Sequence, residues 1–238
     1  MTCVPCGRSV MATCDRVRAW VLHRRPYRNT SLIVDLVTRE SGRLAGVARS
    51  GQRQPLWQSF RPLRISASGR GDLLSLGAVE SDGVTVPLQG EALYCGLYLN
   101  ELLARLMPRH DPHPSLFDGY EAALSLLADA SLPADVVLRH FEFRLLDELG
   151  YGLTLDRDEH GAALQPGGRY HWLPDRGLVA DDRGPYQADI LDDIVAGHWH
   201  DDARRHARDL MREALAPHLG GRPLVSRSLF RHAGKGDN

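Results

Sequence analysis

The sequence predicts an α+β protein in which a five-stranded β-barrel is followed by an α-helical bundle with a small β-rich insert. Apolar and polar residues alternate between Arg16 and Glu80, which is typical of strands. Apolar residues recur at helical spacing after about Gly90, and a stretch rich in glycine and proline interrupts that spacing at 151–185. With 238 residues, 43% of them hydrophobic, the chain can form two small domains.

The first part of the chain predicts the barrel. Five short strands in succession suit a small closed barrel, and the five-stranded OB-fold is the commonest such barrel that also binds single strands. An SH3-like barrel would satisfy the same pattern. The predicted strands are Arg16–His23, Ser31–Thr38, Arg43–Ala48, Phe60–Ser68 and Leu73–Glu80.

The second part predicts helices around the insert. Pro108 ends the first helix, Pro133 begins the third at a position where its missing amide costs nothing, and Gly150 follows the end of the third. The predicted helices are Glu91–Met107, Leu116–Ala130, Pro133–Leu149, Gln187–Ala196 and Asp201–Leu219, and the predicted extended pieces of the insert are Arg169–Leu173 and Gly177–Ala180.

These patterns set the expected domain organisation. We expect an OB-fold domain at 12–86 and a helical domain at 87–238, with 151–185 as its inserted subdomain. Residues 1–11 are expected to be a disordered extension and 232–238 a flexible, glycine-rich tail. No run approaches the roughly 20 apolar residues of a membrane span. The first ten residues lack the apolar core of a signal peptide, so we expect a cytoplasmic protein.

The charge is divided between the two parts of the chain. Residues 1–71 contain 13 Arg against Asp15, Asp35 and Glu40, a formal balance of +10, whereas residues 72–238 carry a balance of −11. A positive field confined to one region concentrates polyanions, so the first candidate partner of the barrel is nucleic acid. The acidic part is better suited to holding proteins.

Almost all basic residues are arginine, since Lys235 is the only lysine. A P-loop needs a lysine at a helix start and Schiff-base catalysis needs a desolvated lysine, so both chemistries are very poorly supported. Arginine binds phosphate bidentately and stacks on bases, which suits a nucleic-acid surface. A GC-rich genome would also replace lysine by arginine, and we give that explanation at least equal weight.

Two predicted connections of the barrel interleave arginine with aromatic residues. Neutralisation of phosphates together with stacking of bases is how proteins bind single strands without sequence preference. Alternatively, the aromatic rings cap the barrel core and the arginines form a solvated rim; for either ring alone we prefer this alternative. The candidate DNA-binding residues are Arg24, Arg25, Tyr27 and Arg28 in the first connection, Arg43 on the third strand, and Arg49, Arg53 and Trp57 in the second connection.

Four groups of segments, in order along the chain, resemble the RecO family of bacterial recombination mediators. They span about Met11 to Arg231, and no single segment is diagnostic. They are Ala19–His23 (AWVLH) with Thr30–Ile33 (TSLI) and Thr38–Arg43 (TRESGR); Leu97–Leu103 (LYLNELL); Leu138–Glu142 (LRHFE) with Leu149–Gly152 (LGYG); and Pro217–Leu224 (PHLGGRPL) with Ser226–Arg231 (SRSLFR).

The resemblance implies a non-enzymatic DNA-repair function without a cofactor. RecO-like proteins bind single- and double-stranded DNA, anneal complementary strands and contact the C-terminal tail of the single-stranded-DNA-binding protein. With RecR they help to load the recombinase RecA. The resemblance therefore implies a cytoplasmic, nucleoid-associated protein with these partners. A protein-interaction scaffold and a metal-dependent nucleic-acid enzyme remain the alternatives.

The acidic tail of the binding protein requires a basic group beside an apolar groove. Arg139 is the candidate, with Phe143 four residues later on the same helix face. Arg139 would alternatively pair with a nearby carboxylate such as Asp135, four residues earlier. A second basic row, formed by Arg204, Arg208 and Arg212, would either extend the DNA path or form a salt-bridged exposed face, which nearby carboxylates favour.

No metal site is expected. Some members of the family carry zinc-binding cysteine pairs in the inserted subdomain, but 151–185 contain no cysteine here. Cys3 and Cys6 have the spacing of half a zinc site, to which Cys14 would add a ligand, and short motifs of this kind often match by chance. The histidine-rich run 198–202 reads as a linker with a helix cap.

Overall fold

The computed structural model describes residues 11–233, which form two compact units. The first unit runs to Gln89 and also includes Gly96–Asp118. The second consists of Gly90–Cys95 and the chain from Gly119 onward. No helix of the described residues is long and apolar enough to cross a membrane.

The first unit contains a closed barrel of five strands in the order β1-β2-β3-β5-β4. β3 pairs in parallel with β5, and the other neighbours are antiparallel. This is the arrangement of an OB-fold, so the predicted fold class is confirmed. The strands are β1 (Met11–Tyr27), β2 (Ser31–Thr38), β3 (Gly42–Ala48), β4 (Leu63–Arg70) and β5 (Leu74–Ser81).

β1 is much longer than predicted because it pairs with two neighbours in turn. Its first half pairs with β4, and its second half pairs with β2 as far as the Tyr27↔Ser31 pair. The register against β4 shifts between Cys14 and Val17, where Arg16 has a positive φ of 52°. Such a bulge bends a strand, which allows β1 to close the barrel. The prediction ended at His23 because the next four residues read as a loop.

The barrel interior is filled by alternate residues of all five strands. Val21, Val34 and Leu36 are fully buried there, as the period-two pattern requires. Trp57 is also part of this core, with 2% of its surface exposed. It lies on the connection between β3 and β4, and its ring packs into the barrel interior.

The remaining elements agree closely with the predicted helices and insert. A three-stranded sheet in the order β7-β6-β8 forms the insert. Two features differ: the last predicted helix ends at Leu215, where Pro217 opens a separate 3-10 turn to Leu219, and α6 was not predicted. The helices are α1 (Gly90–Leu106), α2 (Pro114–Asp129), α3 (Ala134–Glu148), α4 (Ala188–Ala196), α5 (Asp201–Leu215) and α6 (Ser226–Ala233), and the strands are β6 (Arg169–Leu173), β7 (Gly177–Ala180) and β8 (Tyr186–Gln187).

Replacing Trp57 with Ala is expected to destabilise the protein strongly. Removing a large buried ring leaves a cavity in the barrel core, and substitutions of this kind cost about 3–5 kcal/mol of unfolding free energy. Urea denaturation of Trp57→Ala measures the loss, and Trp57→Phe, which retains an apolar ring, should lose less. Unchanged stability of Trp57→Ala would contradict the placement of this ring in the core.

Candidate nucleic-acid interface

The outer face of β2 and β3, which in many OB-folds receives the oligonucleotide, is covered in this protein. Ile33, Val37 and Ala45 point away from the barrel interior, yet all three are buried. Residues 100–111 of the same unit pack against the barrel, with Asn100 at β1 and residues 109–110 at β2 and β3, as the next contacts show. Much of the usual OB-fold surface is therefore not open to a strand.

Three polar contacts hold this covering segment in place. The side-chain amide of Asn100 donates to the carbonyl of Leu22 at 3.1 Å. The amide of His110 donates to the carbonyl of Arg43 at 3.1 Å, and Arg109 lies 3.9 Å from the Asp35 carboxylate. The segment thus pairs with the start of β3 by its backbone and neutralises an acidic side chain of β2.

Arg43 is the candidate DNA-binding residue that this cover affects most. Its side chain is half-buried, and its Nε is buried without a hydrogen-bond partner among the described residues. Burial lowers the pKa of Arg43, the nearby charge of Arg109 adds to this effect, and Asp35 opposes it. Arg43 therefore offers less of its guanidinium to a strand than an exposed arginine would, and its role in binding DNA stays a prediction.

Several other arginines of the first unit are neutralised by carboxylates. Arg16 lies 2.9 Å from Glu80, and Arg39 contacts both carboxylate oxygens of Asp118, at 2.9 and 3.0 Å. Asp82 receives both Arg64, at 2.7 Å, and Arg18, at 3.3 Å. Because carboxylates already neutralise these four arginines, they are poor candidates for binding a polyanion.

Five arginines differ from this group in both position and pairing. All five are exposed, and within the described residues none of them forms an ion pair. No aspartate or glutamate occurs in residues 21–34 or 46–60, which surround them in sequence. We call them the end arginines: Arg24, Arg25, Arg28, Arg49 and Arg53.

Arg24 and Arg25 lie on the last residues of β1 and not in a loop as predicted, whereas Arg28, Arg49 and Arg53 lie on two turns that are side by side. The turn after β1 and the 3-10 turn Gly51–Arg53 after β3 meet through Gln52. The backbone amide of Gln52 donates to the carbonyl of Thr30 at 3.1 Å. The pairing of Leu32 with Ala48 in the β2–β3 ladder brings these two ends of strands together. The structure thus joins two loops that the sequence suggested separately, and it forms one positive end of the barrel.

The two aromatic candidates have different surroundings. Tyr27 is half-buried at the end of β1, and the guanidinium carbon of Arg28 lies 5.1 Å from the centre of its ring, a cation–π contact. Trp57 is in the barrel core, so the expectation that its ring stacks on bases is corrected in favour of the core-capping alternative. Of the two aromatic candidates, only Tyr27 has its ring beside the end arginines.

In the second unit, Arg139 is not available as a receptor for an acidic tail. Only 8% of its side chain is exposed, and it donates to Glu142 at 2.9 Å, one turn later on α3. The alternative, that Arg139 pairs with a nearby carboxylate, therefore holds, but the partner is Glu142 and not Asp135, which binds Arg204. Phe143 is half-buried beside this pair. An Arg139 that left Glu142 would break an ion pair between two buried side chains, which is costly.

The basic row on α5 forms the salt-bridged face that its neighbouring carboxylates indicated. Arg204 binds Asp135 in a bidentate manner, at 2.7 and 2.8 Å. Arg208 and Arg212 both contact Asp209. Burial would raise the pKa of Asp135, but the hydrogen bond and charge of Arg204 outweigh it and hold that pKa below its ordinary value.

A groove between α2 and α3 combines the features that a tail site needs. It encloses about 220 Å³, and its apolar walls include Leu126, Val137 and Phe141. His140 and Arg144 line the same groove, and Arg144 is exposed. Burial and the charge of Arg144 lower the pKa of His140. Sequence reasoning missed this groove, although His140 lies within a segment that carries the family resemblance.

Within the described residues, no group of three or more His, Cys, Asp or Glu side chains is placed to hold a metal ion. His200 caps α5 by accepting from the amide of Ala203, as the linker interpretation of 198–202 predicted. Cys14 is half-buried on β1. Cys3 and Cys6, the other parts of the possible zinc motif, lie outside the described residues.

Comparison with known proteins assigns both parts of the chain. The family model described as Recombination protein O N terminal matches residues 11–81, and the model described as Recombination protein O C terminal matches residues 87–228. The chain belongs to the RecO family. The resemblance noted in the four groups of segments is thereby confirmed across both units.

Curated relatives in this RecO family are similar over most of their length. A protein named DNA repair protein RecO from Pseudomonas paraeruginosa is 47% identical over 217 residues, which are 89% of this chain and 92% of the relative. Proteins of the same name from Stutzerimonas stutzeri and Nitrosospira multiformis are 45% and 42% identical over 218 and 228 residues. These cover 89% and 90% of this chain, and 92% and 93% of the relatives.

Replacing Arg24, Arg25 and Arg28 together with Ala should weaken binding of single-stranded DNA and reduce its dependence on salt. Each phosphate contact contributes about 0.7 to the slope of log affinity against log salt, so the slope should fall by about 2. Fluorescence anisotropy with a labelled oligothymidine across a salt series measures both quantities.

The matched control is the triple variant Arg16→Ala, Arg39→Ala and Arg64→Ala. It removes the same formal charge from the same barrel, but from groups that already bind carboxylates. We expect a much smaller change in slope. Equal losses in the two triple variants would show that net charge, and not the end arginines, governs binding.

Proposed function

We propose that this RecO-family chain is a DNA-binding recombination mediator that acts in DNA repair. The observation that carries the proposal is the group of five exposed end arginines, without an ion pair among the described residues, at the end of β1 and on the two adjoining turns that follow β1 and β3 of an OB-fold. Guanidinium groups that no carboxylate neutralises are available to phosphates. The name of the relatives, DNA repair protein RecO, supports the same role.

The proposed activity at the barrel end is strand binding followed by annealing. Arg24, Arg25, Arg28, Arg49 and Arg53 would neutralise phosphates, and the Tyr27 ring with its stacked Arg28 would contact bases. Neutralised backbones approach one another more closely, so the same surface would promote pairing of complementary strands and would also bind duplex DNA. These steps form and break only noncovalent contacts, so no catalytic residue is assigned.

The proposed activity of the second unit is to hold a protein partner. The acidic C-terminal tail of the single-stranded-DNA-binding protein would place its apolar end in the groove between α2 and α3. Its carboxylates would meet Arg144, beside the apolar wall formed by Phe141 and Leu126. This site replaces the proposal for Arg139 and Phe143, because Arg139 is buried against Glu142.

Together the two activities describe loading of a recombinase. Binding the tail would bring the barrel to strands that are already covered, and the end arginines would then compete for the phosphates. We propose that the chain acts in this way with RecR to allow RecA onto the strand, in the cytoplasm and at the nucleoid. Strand binding and tail binding occur at different residues and are separable by substitution.

Annealing of complementary strands, naked or coated with the single-stranded-DNA-binding protein, tests the proposed function. The parent chain should accelerate annealing in both cases. Arg144→Ala should retain annealing of naked strands and lose most of the acceleration on coated strands, whereas the triple variant of Arg24, Arg25 and Arg28 should lose both. Loss of fluorescence from a labelled strand pair reports the rate.

Arg212→Ala is the control for Arg144→Ala, since Arg212 is an exposed helical arginine that contacts Asp209. It should behave as the parent in both assays. A parent chain that anneals neither kind of strand, or that cleaves DNA when a divalent metal is added, would overturn the mediator proposal. An Arg144→Ala chain that anneals coated strands at the parent rate would overturn the groove assignment alone.

A further inference from the structure

The 3-10 turn after β3 has a fixed conformation against the barrel. Ser50, which precedes the turn, has a positive φ of 53°. Gly51 is buried, and a Cβ at this position would lie 2.9 Å from the Cβ of Ala48 and 3.3 Å from that of Leu32. Only glycine fits so closely over the paired ends of β2 and β3. The next residue, Gln52, therefore has a defined position over the β1–β2 turn.

Gln52 bonds to the neighbouring turn at three points. Its backbone amide donates to the carbonyl of Thr30. Its side-chain Nε2 donates to the carbonyls of Ser31 at 3.1 Å and Arg28 at 3.4 Å. Both side-chain partners are acceptors, and the glutamine amide nitrogen has two hydrogens to donate. One exposed side chain thus bridges from the turn that carries Arg53 to the turn that carries Arg28.

We propose that Gln52 is a positioning residue, which joins the two arginine loops into one surface so that a single DNA strand contacts both. This inference rests on the proposed binding of DNA at the barrel end and adds the path that the strand takes. The strand would cross the end of the barrel, over the β1–β2 turn and the Gly51–Arg53 turn, and not the covered outer face of β2 and β3.

The physical basis is effective concentration. A strand held by one loop meets the second loop as an intramolecular partner only if that loop is held within reach. Loss of the Gln52 side-chain bonds would leave the backbone bond to Thr30 and loosen the hold of the turn that carries Arg53 on the turn that carries Arg28. Those two arginines would then contribute less to affinity, although they remain in the chain.

The test is Gln52→Met, which retains the length of the side chain but cannot donate a hydrogen bond. The backbone bond to Thr30 is preserved, and the urea midpoint confirms that the barrel stays folded. Gln54→Met is the matched control, two residues away on the same connection, where no side-chain hydrogen bond is recorded among the described residues.

Anisotropy with labelled oligothymidine should show weaker binding by Gln52→Met, about 3- to 10-fold at moderate salt. Its salt slope should be shallower by about 1.4, the contribution of roughly two phosphate contacts. Gln54→Met should match the parent. A Gln52 that acted only on stability would leave the slope of the folded protein unchanged.

A double-mutant cycle with Arg53→Ala identifies the mechanism. Arg53→Ala should weaken binding in the parent but have little further effect in Gln52→Met, so the combined loss is smaller than the product of the single losses. Losses that multiply would mean that Gln52 contacts DNA independently, and this would overturn the positioning role. Equal behaviour of Gln52→Met and Gln54→Met would also overturn it.

The triple variant of Arg24, Arg25 and Arg28 separates this inference from the function on which it rests. If that variant binds DNA as tightly as the parent, the barrel-end site itself is wrong and the positioning role is overturned with it. If the triple variant loses binding while Gln52→Met retains the parent affinity and slope, only the positioning role is overturned.

Discussion

The double pairing of β1 is the constraint on which the candidate interface depends. Because the strand bends at Arg16, its first half pairs with β4 and closes the barrel, while its second half continues with β2 as far as Tyr27. The turn that follows therefore lies beside the end of β3, and the connection after β3 meets it. A β1 that ended at His23 would leave the two arginine-bearing connections without a common support.

Ion pairing determines which part of a basic region is available to DNA. The formal excess of +10 in residues 1–71 includes arginines bound to Glu80, Asp82 and Asp118, and the positive charge that remains accessible is concentrated at the barrel end. Covering of the outer face of β2 and β3 has a similar effect, since it closes much of the surface that many OB-folds use. The acidic second unit in turn contains a groove with an exposed Arg144, so the regional charge does not describe its binding site.

Local pattern was sufficient to predict most of the fold and part of the site. Alternation predicted β2 as Ser31–Thr38, and composition placed arginines on the two connections. The burial of Trp57, the cover over Arg43 and the pairing of Arg139 with Glu142 depend on contacts that no local period encodes. Asn100, which holds the covering segment on β1, is 78 residues from Leu22 in sequence. Long-range packing of this kind is visible only in three dimensions.

Hydrogen–deuterium exchange with and without a single strand tests the central claim most directly, because it reports which backbone amides the DNA protects. Protection should be greatest at residues 24–31, which end β1 and form the β1–β2 turn, and at the connection 49–54. Little change is expected in residues 100–111, which cover the β2–β3 face. Protection of that face and its covering segment, without protection of the two turns, would contradict the proposed interface.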